Sequence, residues 1–144
     1  MIPDGHVIRL EMPSSFELLD LVQLLSDRLS ALAGLDEDTT HWVGVSVRES
    51  VINAIKHGNR EDLKKVVTVE FVLRPRPKPE EFKVRVLDQG EGFDPDHVAN
   101  PLDPENVLKS SGRGIFFMRS FMDDVSIDRR PEGGMSVSMS KKLS

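Results

Sequence analysis

The chain has 144 residues, the size of one domain with a sizeable core, and its 38% hydrophobic and 30% charged side chains are the balance of a soluble globular protein. No apolar run is long enough to span a bilayer, the N-terminus lacks a signal-peptide pattern, and the lack of cysteine excludes disulfides, thiolate metal sites and cysteine nucleophiles, which fits a cytoplasmic protein. A net charge of -5 argues against a nucleic-acid footprint but leaves room for a basic protein partner.

His6 to Met12 is predicted as an opening strand that Pro13 ends. Ser14 or Ser15 then caps a helix in which Phe16, Leu18, Leu19, Leu21, Val22, Leu24, Leu25, Leu29 and Leu32 are spaced for packing, and Gly34 closes it. Asp36 begins a long second helix with Glu37 and Asp38 in its first turn, ending at Gly58 after His57. Val66 to Leu73 and Glu81 to Asp88 read as strands flanking the exposed proline-rich connection Arg74 to Pro79.

From Asp94 to Ser111 the periodicity fails around Pro95, Pro101 and Pro104, the pattern of a flap over a ligand or of a plain surface loop. Ile115 to Met122 is an apolar helical run. Asp124 to Arg129 and Met135 to Lys141 form a closing hairpin around Pro131 to Gly134. There is no internal repeat, heptad run or domain linker, so residues 1–144 are expected to form one unit. The layout implies two layers, a mixed, mostly antiparallel sheet with helices on one face.

Within the second helix Glu49, Asn53 and His57 recur every four residues, a spacing that aligns them along one edge. Val43, Val45, Val47, Val51, Ile52, Ala54 and Ile55 surround the axis, so a carboxylate and an amide buried there would cost several kcal/mol unless paired. A divalent metal carrying phosphates would answer that need, with Asn as a neutral oxygen ligand and Glu as proton acceptor. A hydrogen-bonded core stripe would answer it equally. At His57, a histidine capping the helix end is the favoured reading.

The strand ending at Asp88 runs into Asp88-Gln-Gly90-Glu-Gly92, a turn whose glycines permit close backbone approach to a ligand. An ionised carboxylate only accepts hydrogen bonds, so Asp88 could read an exocyclic amine such as that of adenine, although a simple tight loop is the blander reading. Gly112-Arg113-Gly114 opens the helical run at 115, where free N–H groups suit phosphate. Neither a P-loop nor a dinucleotide-binding fingerprint is present.

In this order, Glu49-x-x-x-Asn53-Ala54, Asp88-x-Gly90-x-Gly92 and Gly112-x-Gly114 resemble the N, G1 and G2 boxes of the GHKL superfamily of ATP-binding domains. The phrases Glu49 to Asn59 and Gly114 to Val125 are most similar to the anti-sigma-factor serine kinases of the RsbW and SpoIIAB type, and the resemblance spans roughly residues 7 to 142. It implies the GHKL α+β two-layer sandwich, with ATP between the Glu49 helix and the loop from Gly90 to Gly114, under a lid at about residues 94–111.

By that resemblance Asn53 is the Mg²⁺ ligand, Asp88 reads the adenine amino group, and Gly90 and Gly92 admit the nucleotide. Gly112, Arg113 and Gly114 offer donors to its phosphates, and Glu49 is the general base that activates a serine hydroxyl. A carboxylate is a weak base in water, so this role requires a desolvated position. The sporulation-type kinases place Arg directly before Ser-Gly-x-Gly; here that position is Ser110, which leaves Arg113 or Lys109 as the cation for the γ-phosphate.

Without a gyrase-type transducer domain in these residues, a serine on a separate protein is the expected acceptor. The resemblance therefore implies a Mg²⁺-ATP-dependent serine kinase that phosphorylates an anti-anti-sigma antagonist, sequesters a sigma factor, and pairs as a homodimer through its first strand and helix. It does not act on nucleic acid or membrane directly. The alternatives are an ATP-binding interaction switch without phosphotransfer and a bare ATPase subunit.

Overall fold

The computed structural model describes residues 7–73, 81–91 and 118–143. Five strands, β1 (Val7–Pro13), β2 (Val66–Leu73), β3 (Glu81–Leu87), β4 (Asp124–Arg129) and β5 (Met135–Lys142), form one sheet in the order β1-β2-β3-β5-β4. All four pairings are antiparallel. Helices α1 (Leu19–Leu32) and α2 (Glu37–Asn53) complete the two-layer α+β fold. Among the described residues no helix is long and apolar enough to cross a membrane.

Period-2 alternation sets which strand face meets the helices. Ile8, Phe71, Val84, Met139 and Val125 stand side by side across the sheet, and Leu10, Val69, Val86, Val137 and Ile127 form the next row. Both rows, except Ile127 at the sheet edge, join one core with Val22 and Leu29 of α1, Val43, Val47 and Val51 of α2, and Ile55 just beyond it. The intervening rows face away and carry polar residues, among them Arg9, Glu70, Arg85, Ser138 and Ser126. There the Glu70 carboxylate meets Arg9 at 2.7 Å and Arg85 at 3.5 Å, pairing three strands by charge.

The helix boundaries follow the cap residues. Ser15 Oγ accepts from Glu17 N at 3.3 Å to start a 3-10 turn, Phe16–Leu18, that leads into α1. Its neighbour Ser14 turns inward instead and donates to Lys65 O at 2.7 Å. Gly34 ends α1 at φ +94°. Asp36 caps α2 by accepting from Thr39 N at 2.7 Å, and its hydrogen bonding with Thr39 holds its carboxyl below the ordinary carboxylate range.

The end of α2 departs from expectation. Residues Ala54–Gly58 widen into a π turn, with Asn59 N donating to Ala54 O at 2.7 Å. The helical path ends at Gly58 as expected, and Arg60 and Glu61 follow in the left-handed region at φ 52° and 57°. Residues 118–121 are helical, within the predicted 115–122 run. Phe121 stacks on Trp42 of α2, centroids 4.3 Å apart and planes 9° from parallel, which fixes this segment against the helical layer.

Candidate functional site

Glu49 and Asn53 lie one turn apart on α2, both partly buried, as the four-residue spacing requires. Among the described residues no side-chain hydrogen bond engages either one. His57 does not continue the line in the same way. It falls in the π turn, where a four-residue step no longer returns one position per turn, and it is exposed. Burial of part of the ring, then the neighbouring Lys56, push its imidazole below the ordinary histidine range, against the helix-end cation expected of a cap.

The two motifs converge at the end of that turn. A β-carbon on Gly58 would overlap Oδ2 of Asp88, and one on Gly90 would overlap the carbonyl oxygen of Gly58. Glycine at both positions is therefore what lets the G1 turn close on the end of the α2 segment. Asp88 is buried at 6% exposure, just beyond β3. Its Oδ1 accepts from Gly90 N at 3.0 Å and from Met135 N at 3.1 Å, which fixes the carboxylate plane. Among the described residues no hydrogen bond reaches Oδ2, which leaves an acceptor against Gly58.

Burial raises the Asp88 carboxyl above its ordinary range; the Gly90 and Met135 N–H bonds, Arg130 and Lys65 oppose that rise. Three further residues, not singled out from the sequence, support the carboxylate and its turn. Asn59, at 1% exposure, accepts from Gln89 N at 2.7 Å and donates to Ser14 Oγ at 2.8 Å and Val66 O at 3.1 Å. Gln89 Oε1 accepts from Val66 N at 2.7 Å, and Arg130 Nη1 donates to Asp88 O at 2.7 Å. Asn59 could have been noticed as an amide directly after His57-Gly58, but nothing in the sequence singles out Arg130.

Among the described residues no group of three or more His, Cys, Asp and Glu side chains is placed to hold a metal. A single carboxamide beside a single carboxylate instead fits a cation held largely by a ligand's own oxygens and water, which is how Mg²⁺ binds with nucleotide phosphates. Gly92, Lys109, Gly112, Arg113 and Gly114, with Ser110 and the 94–111 lid, lie outside the described residues.

Residues 12–141 match the histidine kinase-like ATPase domain family. The chain is similar to the serine-protein kinase RsbW of Staphylococcus aureus, 28% identical over 143 residues that cover 94% of this chain and 86% of the relative, with the same figures for the protein of strains JH9 and Newman. Its fold resembles a crystal structure of RsbU and RsbW domains from Mycobacterium tuberculosis, with TM-score 0.67 and 16% identity over 96% of this chain and 32% of that one. With the N-box pair on α2 and the G1 turn closed against its end by two glycines, the chain belongs to the histidine kinase-like ATPase domain family.

Proposed function

We propose that the protein is an anti-sigma-type serine protein kinase, a single ATP-binding domain that transfers the γ-phosphoryl group of ATP to a serine of an anti-anti-sigma antagonist and, in the alternative partner state, sequesters a sigma factor. The observation that carries this reading is the unused acceptor of Asp88, held against Gly58 at the end of the helical segment that presents Glu49 and Asn53. The likeness to RsbW supplies the acceptor class.

In this reading Asp88 accepts a hydrogen bond from the adenine amino group, and Gly90 and Gly92 admit the nucleotide. Asn53 offers its amide oxygen to Mg²⁺, which would neutralise phosphate charge. Glu49 takes the proton of the serine hydroxyl as the serine oxygen bonds to γ-phosphorus, the bond from γ-phosphorus to the bridging oxygen breaks, and ADP leaves. Gly112, Arg113 and Gly114 supply donors to the phosphates, and Arg113 or Lys109 supplies the cation that Ser110 does not. The working site is cytoplasmic, and the protein works as a homodimer joined through β1 and α1, where Val7, Leu21, Leu24 and Leu32 are exposed.

Labelled ATP, Mg²⁺ and candidate antagonist proteins test this. Label on a partner serine that disappears with Glu49→Ala supports the kinase. Nucleotide binding without transfer to any antagonist identifies an interaction switch instead, and phosphate release with no acceptor present identifies a bare ATPase.

A further inference from the structure

One peptide unit in the site is gripped from both sides. The carbonyl of the Asp88–Gln89 peptide accepts from Arg130 Nη1 at 2.7 Å, and the N–H of the same peptide donates to Asn59 Oδ1 at 2.7 Å. The two side chains arrive from opposite ends of the fold, Asn59 from the turn that ends α2 and Arg130 from the β4–β5 connection. Each is itself held. Asn59 Nδ2 is tied to Ser14 and Val66, and the Arg130 backbone closes the hairpin with Gly134 O at 2.9 Å. Gly134, at φ +93°, lies so close over Asp88 that a β-carbon there would overlap the same carbonyl oxygen.

Arg130 adopts this position at a cost. Its Nε is buried with no partner among the described residues, so a donor loses its water without a replacement. Its pair with Glu132, at 3.3 Å and with the carboxylate 63% exposed, is a solvent-screened surface pair that does not offset that loss. An arginine wanted only for surface charge would turn outward; this one is drawn in to the Asp88 carbonyl. Pinning that peptide limits rotation about the Asp88 backbone, while the Gly90 and Met135 N–H groups hold Oδ1. Together these contacts leave Oδ2 one direction.

We propose that Asn59 and Arg130 are positioning residues that aim Oδ2 of Asp88 and thereby set the preference for a purine bearing a 6-amino group. This rests on the ATP-binding reading above and adds the residues that determine its base selectivity. Asn59 acts through an acceptor on one atom and a donor on another, so Asp cannot replace it. Arg130 acts as a donor, so Lys can replace it in part.

The test is calorimetric titration of the full chain with Mg²⁺ and each of two nucleotides, ATP and purine riboside triphosphate, which carries hydrogen in place of the amino group. The wild-type protein is expected to prefer ATP. In Arg130→Met and Asn59→Ala, ATP affinity should fall about tenfold or more, the scale of one lost hydrogen bond to a charged group, while the des-amino nucleotide changes less than about threefold. Arg130→Lys should restore most of the preference, and Asp88→Asn should abolish it.

If both nucleotides weaken equally, or neither changes, the two residues only brace the fold and the inference falls while ATP binding stands. If the wild-type chain binds ATP without preferring it, the base-reading role of Asp88 falls too. If it binds neither nucleotide, the proposed function itself is wrong. Should Asn59→Ala fail to fold, Arg130→Met, from a side chain 19% exposed, still decides the matter.

Discussion

Gly58 and Asp88 approach each other so closely that only hydrogen fits where a β-carbon would stand on Gly58; its nearest carbon neighbour, Asp88 Cγ, would be 2.6 Å away. The contact joins the helix end that carries the N-box pair to the carboxylate of the G1 turn. Gly58→Ala must therefore push one element away from the other. Overpacking of this kind costs about 1–3 kcal/mol. Urea denaturation should register that loss, and nucleotide titration should show a fall in ATP affinity larger than the stability change alone explains. A variant with unchanged stability and affinity would mean the gap opens freely.

Asp88 ties function to a stability cost with a definite pH sign. Burial raises its carboxyl in the folded protein, so folding favours the protonated form. Its contribution to stability is fully present below the ordinary carboxylate range and is lost as pH rises through the raised folded value. Asp88→Asn keeps an oxygen for Gly90 and Met135 but carries no charge. Nucleotide-free Asp88→Asn should thus melt above the wild type at neutral pH, with the difference shrinking in acid, while ATP binding is lost. A lower melting temperature for the variant at neutral pH would contradict the sign.

Asn53 and Glu49 should separate binding from chemistry. Asn53→Ala is expected to abolish Mg²⁺-dependent ATP binding; unaltered affinity would contradict its role as ligand. Glu49→Ala should bind ATP within a few-fold of wild type yet transfer phosphate about 10²–10⁴ times more slowly, the range of a lost general base. Single-turnover transfer to an antagonist, read beside an equilibrium titration, distinguishes the two.

Glu70 holds the edge strand β1 through Arg9 and reaches Arg85 on β3. Its carboxylate side chain is only 9% exposed, whereas Arg9 and Arg85 are 58% and 43% exposed, so solvent screens the pairs. Glu70→Ala is expected to cost about 1–2 kcal/mol, between a surface and a buried ion pair, with part of that difference disappearing in 1 M salt. Urea denaturation at two salt concentrations checks both magnitude and screening.

Much of the fold was legible because the interactions behind it are local. Alternation in Val66 to Leu73 and Glu81 to Leu87 puts apolar residues on one face whatever else the chain does, and Asp36 caps α2 through a bond three residues long. The pairing of Glu49 with Asn53 needed only helical pitch, and the order of the three boxes pointed to the family before any coordinates did. The same pitch does not carry on to His57, which lies in a π turn that nothing in the sequence of Ala54 to Gly58 announces.

Tertiary structure alone decided the insertion of β5 between β3 and β4, and the assembly of the corner around Asp88. Gln89 meets Asn59 across 30 residues and Asp88 meets Arg130 across 42, separations over which no periodicity carries information. A buried carbonyl or N–H at a strand end must find a partner, but which side chain supplies it depends on chain segments brought together only by the closed core. Sequence determined which residues could do chemistry; packing of the hairpin and the helix end against one turn determined where the Asp88 carboxylate points.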